Sequence, residues 1–346
     1  MLTEAFFRAI PKLALHDHLL GTISRETFQD LAEKRRATIT AEEIAAFYIR
    51  GEKPVGVLRA FRALESEVLR EPEDFHRITY EYLTAHARQG VVHAEIFWNP
   101  TGSCRDATDY ARLRSGIIAG FEDARRDLGV SALLIPSIDR EASPEAAMAM
   151  VEWMIEQPHV QAVGIGIDYN EVKGPPGQFV PAYRLAGRHG LLRTAHAGEF
   201  GCPPANIRTA IHEMGVDRLD HAYTAIDDPD LCREIADRNL IVTVVPSNSY
   251  YLRTLPRDSW AAEHPIRRMP ALGLRIHPNT DDPTMHLVTP ARAWGMMHWE
   301  FGFGPDALRA FLLNGIDGAF VEEAQKSVWR AEHLAAFDTL LKEHAP

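Results

Sequence analysis

Short apolar runs alternate with longer stretches of helical periodicity along the 346 residues of this chain, the rhythm of parallel strands joined by helices. The runs predict strands over Leu13–His18, Val91–Trp98, Ser131–Ile138, Ala162–Asp168, Leu191–His196, Arg218–His221, Ile241–Val245 and Leu274–Asn279. Between them, Asp109–Leu128, Pro144–Glu156, Pro204–Met214, Pro229–Arg238 and Pro290–Trp299 read as helices. Proline at or near the first turn of several marks a helix start. Eight alternations favour a closed α/β barrel, the (β/α)8 TIM fold, over an open doubly wound sheet. No G-x-G-x-x-G opens the first helix, which removes the dinucleotide-binding version of the open sheet. No linker, low-complexity tract or internal repeat interrupts the pattern, so residues 1–346 read as a single domain.

One region exceeds a minimal barrel. Ser24–Gly90, between the first two expected strands, carries several helical patterns, and further helices are expected at the C-terminus. Within it, Leu58, Phe61, Leu64 and Val68 form an apolar stripe on a helix expected over 54–69. An insertion after the first strand emerges on the face where barrels do chemistry, so this helix is a candidate lid.

Composition narrows the class. A hydrophobic share of 46% and a charged share of 25% are those of an ordinary globular protein. The net charge of −11 gives no electrostatic footprint for nucleic acid or an anionic membrane, and leaves a small neutral substrate open. Three scattered cysteines, Cys104, Cys202 and Cys232, make neither a disulfide framework nor a thiolate zinc site. The N-terminus lacks the order of a signal peptide and no window reaches 18 uninterrupted apolar residues. The expected location is the cytoplasm, and a homo-oligomer is compatible.

The chemistry lies at the ends of the apolar runs. "LALHDHLLGT" at 13–22, "RTAHAGEF" at 193–200, "VDRLDHAYT" at 216–224 and "HPNTDDPT" at 277–284 each place ionisable groups just before a turn. With 16 histidines in the chain, an H-x-H pair arises by chance about 0.7 times, so "HDH" alone decides nothing. The ordered series decides. His16 and His18 are two apart on a strand and share one face. With His196 and Asp281 they make three nitrogens and a carboxylate, a donor set that suits one zinc ion and leaves a position for water. Glu199 sits near enough to donate a proton, His221 to act as base or orienter, and Asp282 to face a substrate. "AVGIGID" contains no lysine to bridge two ions, which favours one metal. The H-x-E and P-C-x-x-C signature of the other zinc deaminase architecture is absent.

Taken with "EDFHRITYEYLTAHARQGVVHAEIFWNP", these segments resemble the adenosine/adenine deaminase family of the metal-dependent amidohydrolases, over nearly the whole chain. The resemblance implies a zinc-dependent aminohydrolase that releases ammonia from C6 of a 6-aminopurine. It makes His16, His18, His196 and Asp281 the ligands of one Zn²⁺, Glu199 the donor to purine N1, His221 the group activating water, and Asp282 the contact to N7. It further points to Leu20, Phe61, Trp98, Gly166, Asp168 and Glu171 as substrate-binding positions. Adenosine deaminases carry aspartate where Leu20 stands and adenine deaminases glutamate. "GIGIDYNEVKGPPGQF" is similar to the adenine-deaminase form of the fourth-strand loop. Adenine, adenosine and related 6-aminopurines therefore all stay open as substrates. So do another aminated or N-substituted ring and a non-catalytic, nucleoside-binding role.

Overall fold

The computed structural model of the chain describes residues 1–49 and 57–344. Among these, eight parallel strands follow one another in chain order: β1 (Lys12–His18), β2 (Val91–Trp98), β3 (Ser131–Asp139), β4 (Gly164–Asp168), β5 (Leu192–Ala197), β6 (Arg218–His221), β7 (Ile241–Val244) and β8 (Arg275–Pro278). Each expected strand is present, displaced by no more than two residues at either end. The curled sheet closes just beyond β8. There the His18 N–H donates to the Asp281 carbonyl at 2.9 Å, and the Asp281 N–H donates to that of His16 at 3.0 Å. This seam sets the two β1 histidines beside the aspartate that follows β8.

Strand periodicity decides what faces inward. His16 and His18 point into the barrel, whereas Asp17 between them turns outward, accepting from the Tyr82 hydroxyl at 2.7 Å and pairing with His86 at 2.9 Å. The N-terminal end of the barrel is sealed by two buried basic side chains. Lys12 Nζ donates to the carbonyls of Phe7 and Ile10 at 2.5 and 2.6 Å, and Arg218 meets Glu95 at 2.5 Å, all fully buried. The other end holds the histidines, as the fold requires of a reactive face.

Helices cover the outside. Ala107–Leu128 and Pro144–Glu156 form as expected, with Asp106 and Ser143 capping their first turns. The expected helix over Pro204–Met214 is α-helical only to Thr209. It ends in a π turn, Ala210–Met214, which Gly215 terminates at φ 66°. The insertion after β1 contributes Arg25–Arg35, Ala41–Phe47, Val57–Ala63, a π turn Leu64–Val68, and Pro72–Ala87. Residues 54–56 of the expected 54–69 helix lie outside the described residues. Of its stripe, Leu64 and Val68 are buried, Phe61 is half-buried and Leu58 is exposed. The C-terminal helices are Pro305–Gly318 and Glu323–His344, the latter packing Phe337 on Phe6 of the N-terminal helix Glu4–Ala9 with ring centroids 5.6 Å apart.

The Leu64–Val68 turn is tied across the reactive face. Tyr169, just after β4, donates to Glu65 at 2.9 Å, and Ser103 donates to the Glu65 carbonyl at 3.0 Å. Arg62 pairs with Asp139 at the end of β3 at 2.6 Å. The inserted segment is thereby fastened to the ends of three strands or the loops that follow them.

Candidate active site

Four donor atoms from β1, β5 and the turn after β8, on His16, His18, His196 and Asp281, lie within 4.8 Å of one another. His18 Nε2 is 3.1 Å from His196 Nε2 and 3.2 Å from Asp281 Oδ1. Two ligands of one tetrahedral zinc stand roughly 3.3 Å apart, given bonds of about 2.0–2.1 Å. Among the described residues, His16 Nε2 is buried without a hydrogen-bond partner, 3.8 Å from Asp281. An orphaned imidazole nitrogen aimed at two others and a carboxylate is what a metal site leaves behind when only the protein is considered. The residues fit one zinc.

Charge in the site tells the same story. Burial and the neighbouring His196 push His16 down to about 3, so it is neutral and able to offer a lone pair. For His18, burial opposes protonation but is outweighed by hydrogen bonds to Asp168 and Asp281 and by the charge of Asp282, which hold it well above its ordinary value. The two neighbouring imidazoles shift in opposite directions because His18 lies against the carboxylates of Asp168, Asp281 and Asp282 while burial dominates at His16.

Around the donor set sits a layer that orients it. Asp168 Oδ2 lies 3.1 Å from His18 Nδ1, while its Oδ1 accepts from Asn99 at 2.7 Å. Asp220 Oδ2 lies 3.5 Å from His196 Nδ1 and accepts from Thr194 at 2.7 Å. Thr243 donates to Asp220 Oδ1 at 2.6 Å and stands 2.8 Å from His16 Nδ1. Carboxylates on the far nitrogens fix ring orientation and leave Nε2 to face the ion.

The acid and base candidates converge from two further turns. Glu199 Oε2 lies 3.5 Å from His221 Nε2, and Oε1 accepts from Asn248 Nδ2 at 3.0 Å. Burial first, and the charge of Asp281 second, push the Glu199 carboxyl well above its ordinary value, so that it holds a proton. Burial pushes His221 well below, leaving it a neutral base. Asp282 is raised by burial and by adjacent Asp281, and its Oδ1 has no hydrogen-bond partner among the described residues. Adjacent strand residues point to opposite faces, yet Asp220 and His221 both reach the centre, as do Asp281 and Asp282. The reason is backbone: His221 and Asp281 take φ values of 67° and 66°, left-handed and costly for non-glycine residues.

The remaining expected positions divide. Leu20 is buried in the single turn Leu19–Thr22, and Phe61 stands at the mouth against Tyr169 at 6.2 Å between ring centroids. Trp98 is a correction. It points outward, stacked on Tyr110 at 5.8 Å and edge-on to Phe75, and Phe97, its neighbour on β2, faces His16 and His18 instead. Strand parity made the choice, because the apolar run alone does not say which residue ends inward. Gly166 underlies that phenylalanine: a Cβ there would stand 2.8 Å from the Phe97 ring, so the glycine shapes the wall from behind. Asp168 holds His18 rather than facing open space, and the Glu171 carboxylate is filled by three donors, the N–H groups of Gly198 and Glu199 and Asn206 Nδ2. Asp220, Asn248, Phe97 and Arg140 were missed. A signal existed for Asp220, a carboxylate inside the short strand "RLDH"; Asn248 lies in a loop with no periodicity to read.

The family model for adenosine deaminase matches residues 11–332. The chain belongs to the adenosine deaminase family. As a member of it, the protein is a metal-dependent hydrolytic deaminase, and the expected family and barrel both hold. An adenine deaminase from Rhodopseudomonas palustris is 32% identical to it over 99% of this chain and 97% of that one. Among solved structures, a zinc-bound amidohydrolase from Burkholderia ambifaria is 51% identical, with a TM-score of 0.95 covering 99% of this chain and 94% of that one. Adenine deaminase from Arthrobacter aurescens is 28% identical, with a TM-score of 0.83 over 96% and 100%.

Proposed function

We propose that this protein, acting as one domain with one zinc ion, hydrolyses the 6-amino group of adenine or a closely related 6-aminopurine and releases ammonia. The carrying observation is the buried Glu199 carboxyl 3.5 Å from His221 Nε2, beside the donor set of His16, His18, His196 and Asp281, where burial raises the pKa of the glutamate and lowers that of the histidine. When bound there, zinc supplies Lewis acidity that brings the pKa of a coordinated water from 15.7 to roughly 7.

The chain's own groups do the rest. Glu199 gives its proton to purine N1, which lets C6 accept a nucleophile without building an anion on the ring. His221 takes the proton that the attacking water loses and returns it to the 6-amino group, which leaves C6 as ammonia, while the proton of the new C6 hydroxyl goes back to Glu199 as the 6-oxo product forms. Asp282, its Oδ1 unpaired and its acid form favoured by burial, donates to N7, an acceptor in the purine ring. Phe97 and Phe61 wall the ring, and Leu20 presents an apolar surface where the sugar of a nucleoside would lie. Adenine deaminase relatives at about 30% identity over nearly the whole chain support the free base as substrate. Three unpaired, buried cysteines suit the reducing cytoplasm.

Ammonia release by the zinc-loaded protein from adenine, adenosine and N6-substituted adenines tests this reading. Turnover of at least one 6-aminopurine is expected. Inactivity on all of them, with activity on another aminated ring, would overturn it.

A further inference from the structure

We infer that Glu171 is a positioning residue for the proton donor: together with Arg140 it clamps the turn that carries Glu199 and so sets where that carboxyl meets the ring. This rests on the reading of Glu199 as the donor.

The turn needs such a clamp. Gly198 takes φ 70°, and a Cβ there would stand 2.6 Å from Ile207 and 2.7 Å from Thr224, so only glycine fits. A glycine turn just after β5 is soft and leaves its N–H groups outside any ladder. Glu171 Oε1 accepts from Gly198 N at 3.0 Å and from Asn206 Nδ2 at 2.8 Å, and Oε2 accepts from Glu199 N at 2.9 Å. From the other side, Arg140 Nη2 donates to the carbonyl of His196 at 2.6 Å. Both clamp residues are 1% exposed. Glu171 is itself held by a turn in which Asn170 accepts from the N–H groups of Val172, Lys173 and Gly174. Charge-assisted bonds of this kind are about twice as strong as neutral ones. Three of them on one carboxylate, against a guanidinium on the preceding carbonyl, leave the backbone at Glu199 little freedom. A displacement of about 1 Å in such a group costs on the order of 10²-fold in rate.

Glutamine at 171 would keep size but present an NH₂ donor to one of two N–H donors, so one contact must open. Glu171→Gln is expected to lower kcat by about 10- to 100-fold, with KM within about 3-fold and zinc content unchanged. Because Glu171 acts through Glu199, the same change made on top of Glu199→Gln should cost less than about 3-fold more. Hydrogen exchange supplies a readout independent of turnover: the amides of Gly198 and Glu199 should exchange at least about 10-fold faster in zinc-loaded Glu171→Gln. Asn206→Ala, at a half-buried site, removes one donor without touching the turn and covers the case in which Glu171→Gln does not fold. It should lower kcat several-fold at constant KM. A raised KM with kcat intact would make Glu171 a substrate contact and overturn the inference, as would fully additive losses or unchanged exchange. If Glu199→Gln alone retains full turnover, it is the assignment of Glu199 that fails, whatever the exchange data show.

Discussion

The side-chain amide of Asn248 donates to one carboxyl oxygen of Glu199 at 3.0 Å, while the other oxygen stands 3.5 Å from His221. The carboxyl is thus aimed by the loop after β7 and the end of β6 at once, and its raised pKa comes from burial before any charge. The group must be protonated to act, so activity is present at low pH and lost as pH rises through that raised value. Glu199→Gln keeps the hydrogen bonds and removes the titrating proton. Turnover should fall about 10²- to 10⁴-fold with zinc retained, and the basic limb of the kcat/KM profile should vanish. Near-normal turnover would place the proton transfer elsewhere.

Purified protein should contain one equivalent of zinc per chain, and His196→Ala should lose both metal and activity. Asp220 separates holding the metal from orienting its ligands. It touches His196 on the nitrogen away from the donor cluster and reaches His16 through Thr243. Asp220→Asn should weaken zinc affinity by about 10- to 100-fold, measured by competition with a chelator. Two metals per chain, or unchanged affinity in that variant, would contradict this geometry.

Glu65 gives a pH dependence of stability. It is buried beneath Tyr169 and Arg62, and burial, only partly offset by the Arg62 charge, raises its carboxyl from 4.5 to about 7. A raised folded-state value means the stabilising contribution is complete below pH 4.5 and is lost as pH climbs to about 7, flat thereafter. The Tm of the protein measured against Glu65→Gln should therefore decline across that window and level off above it. A relative gain over the same window would show that the ion pair with Arg62 outweighs burial.

The barrel was legible because its strands are short, apolar and bounded by turn residues, and because each ligand stands at a strand end where few structural roles need an ionisable group. His16 and His18 illustrate this, since two-residue spacing on a strand fixes a shared face without knowledge of anything else. What was illegible depends on three-dimensional closure. Trp98 and Phe97 are both aromatic, and only the register of β2 against β1 makes Phe97 the inward one. Asp168 and Glu171 look alike in "GIDYNE", yet one holds a histidine ring and the other a backbone turn. The left-handed φ of His221 and Asp281 is likewise invisible in sequence, because neither residue is glycine.

Leu20 carries the most informative test of substrate. It is buried on the turn directly after β1, one residue before Gly21, whose backbone lies against the Asp282 carboxyl. A ribose hydroxyl placed against this leucine would lose water without gaining a partner, a penalty of roughly 1–3 kcal/mol. That corresponds to adenosine being used some 5- to 150-fold less well than by an enzyme with a carboxylate at this place. The expected order of kcat/KM puts adenine, or a 6-aminopurine with an apolar substituent near Leu20, above adenosine. Leu20→Asp should narrow the gap by improving adenosine while weakening the apolar analogue. The comparison needs kcat/KM for adenine, adenosine and a 5′-deoxy analogue in both proteins at fixed zinc occupancy. If the unmodified protein prefers adenosine to all others, or if Leu20→Asp leaves the order unchanged, the sugar does not lie against Leu20.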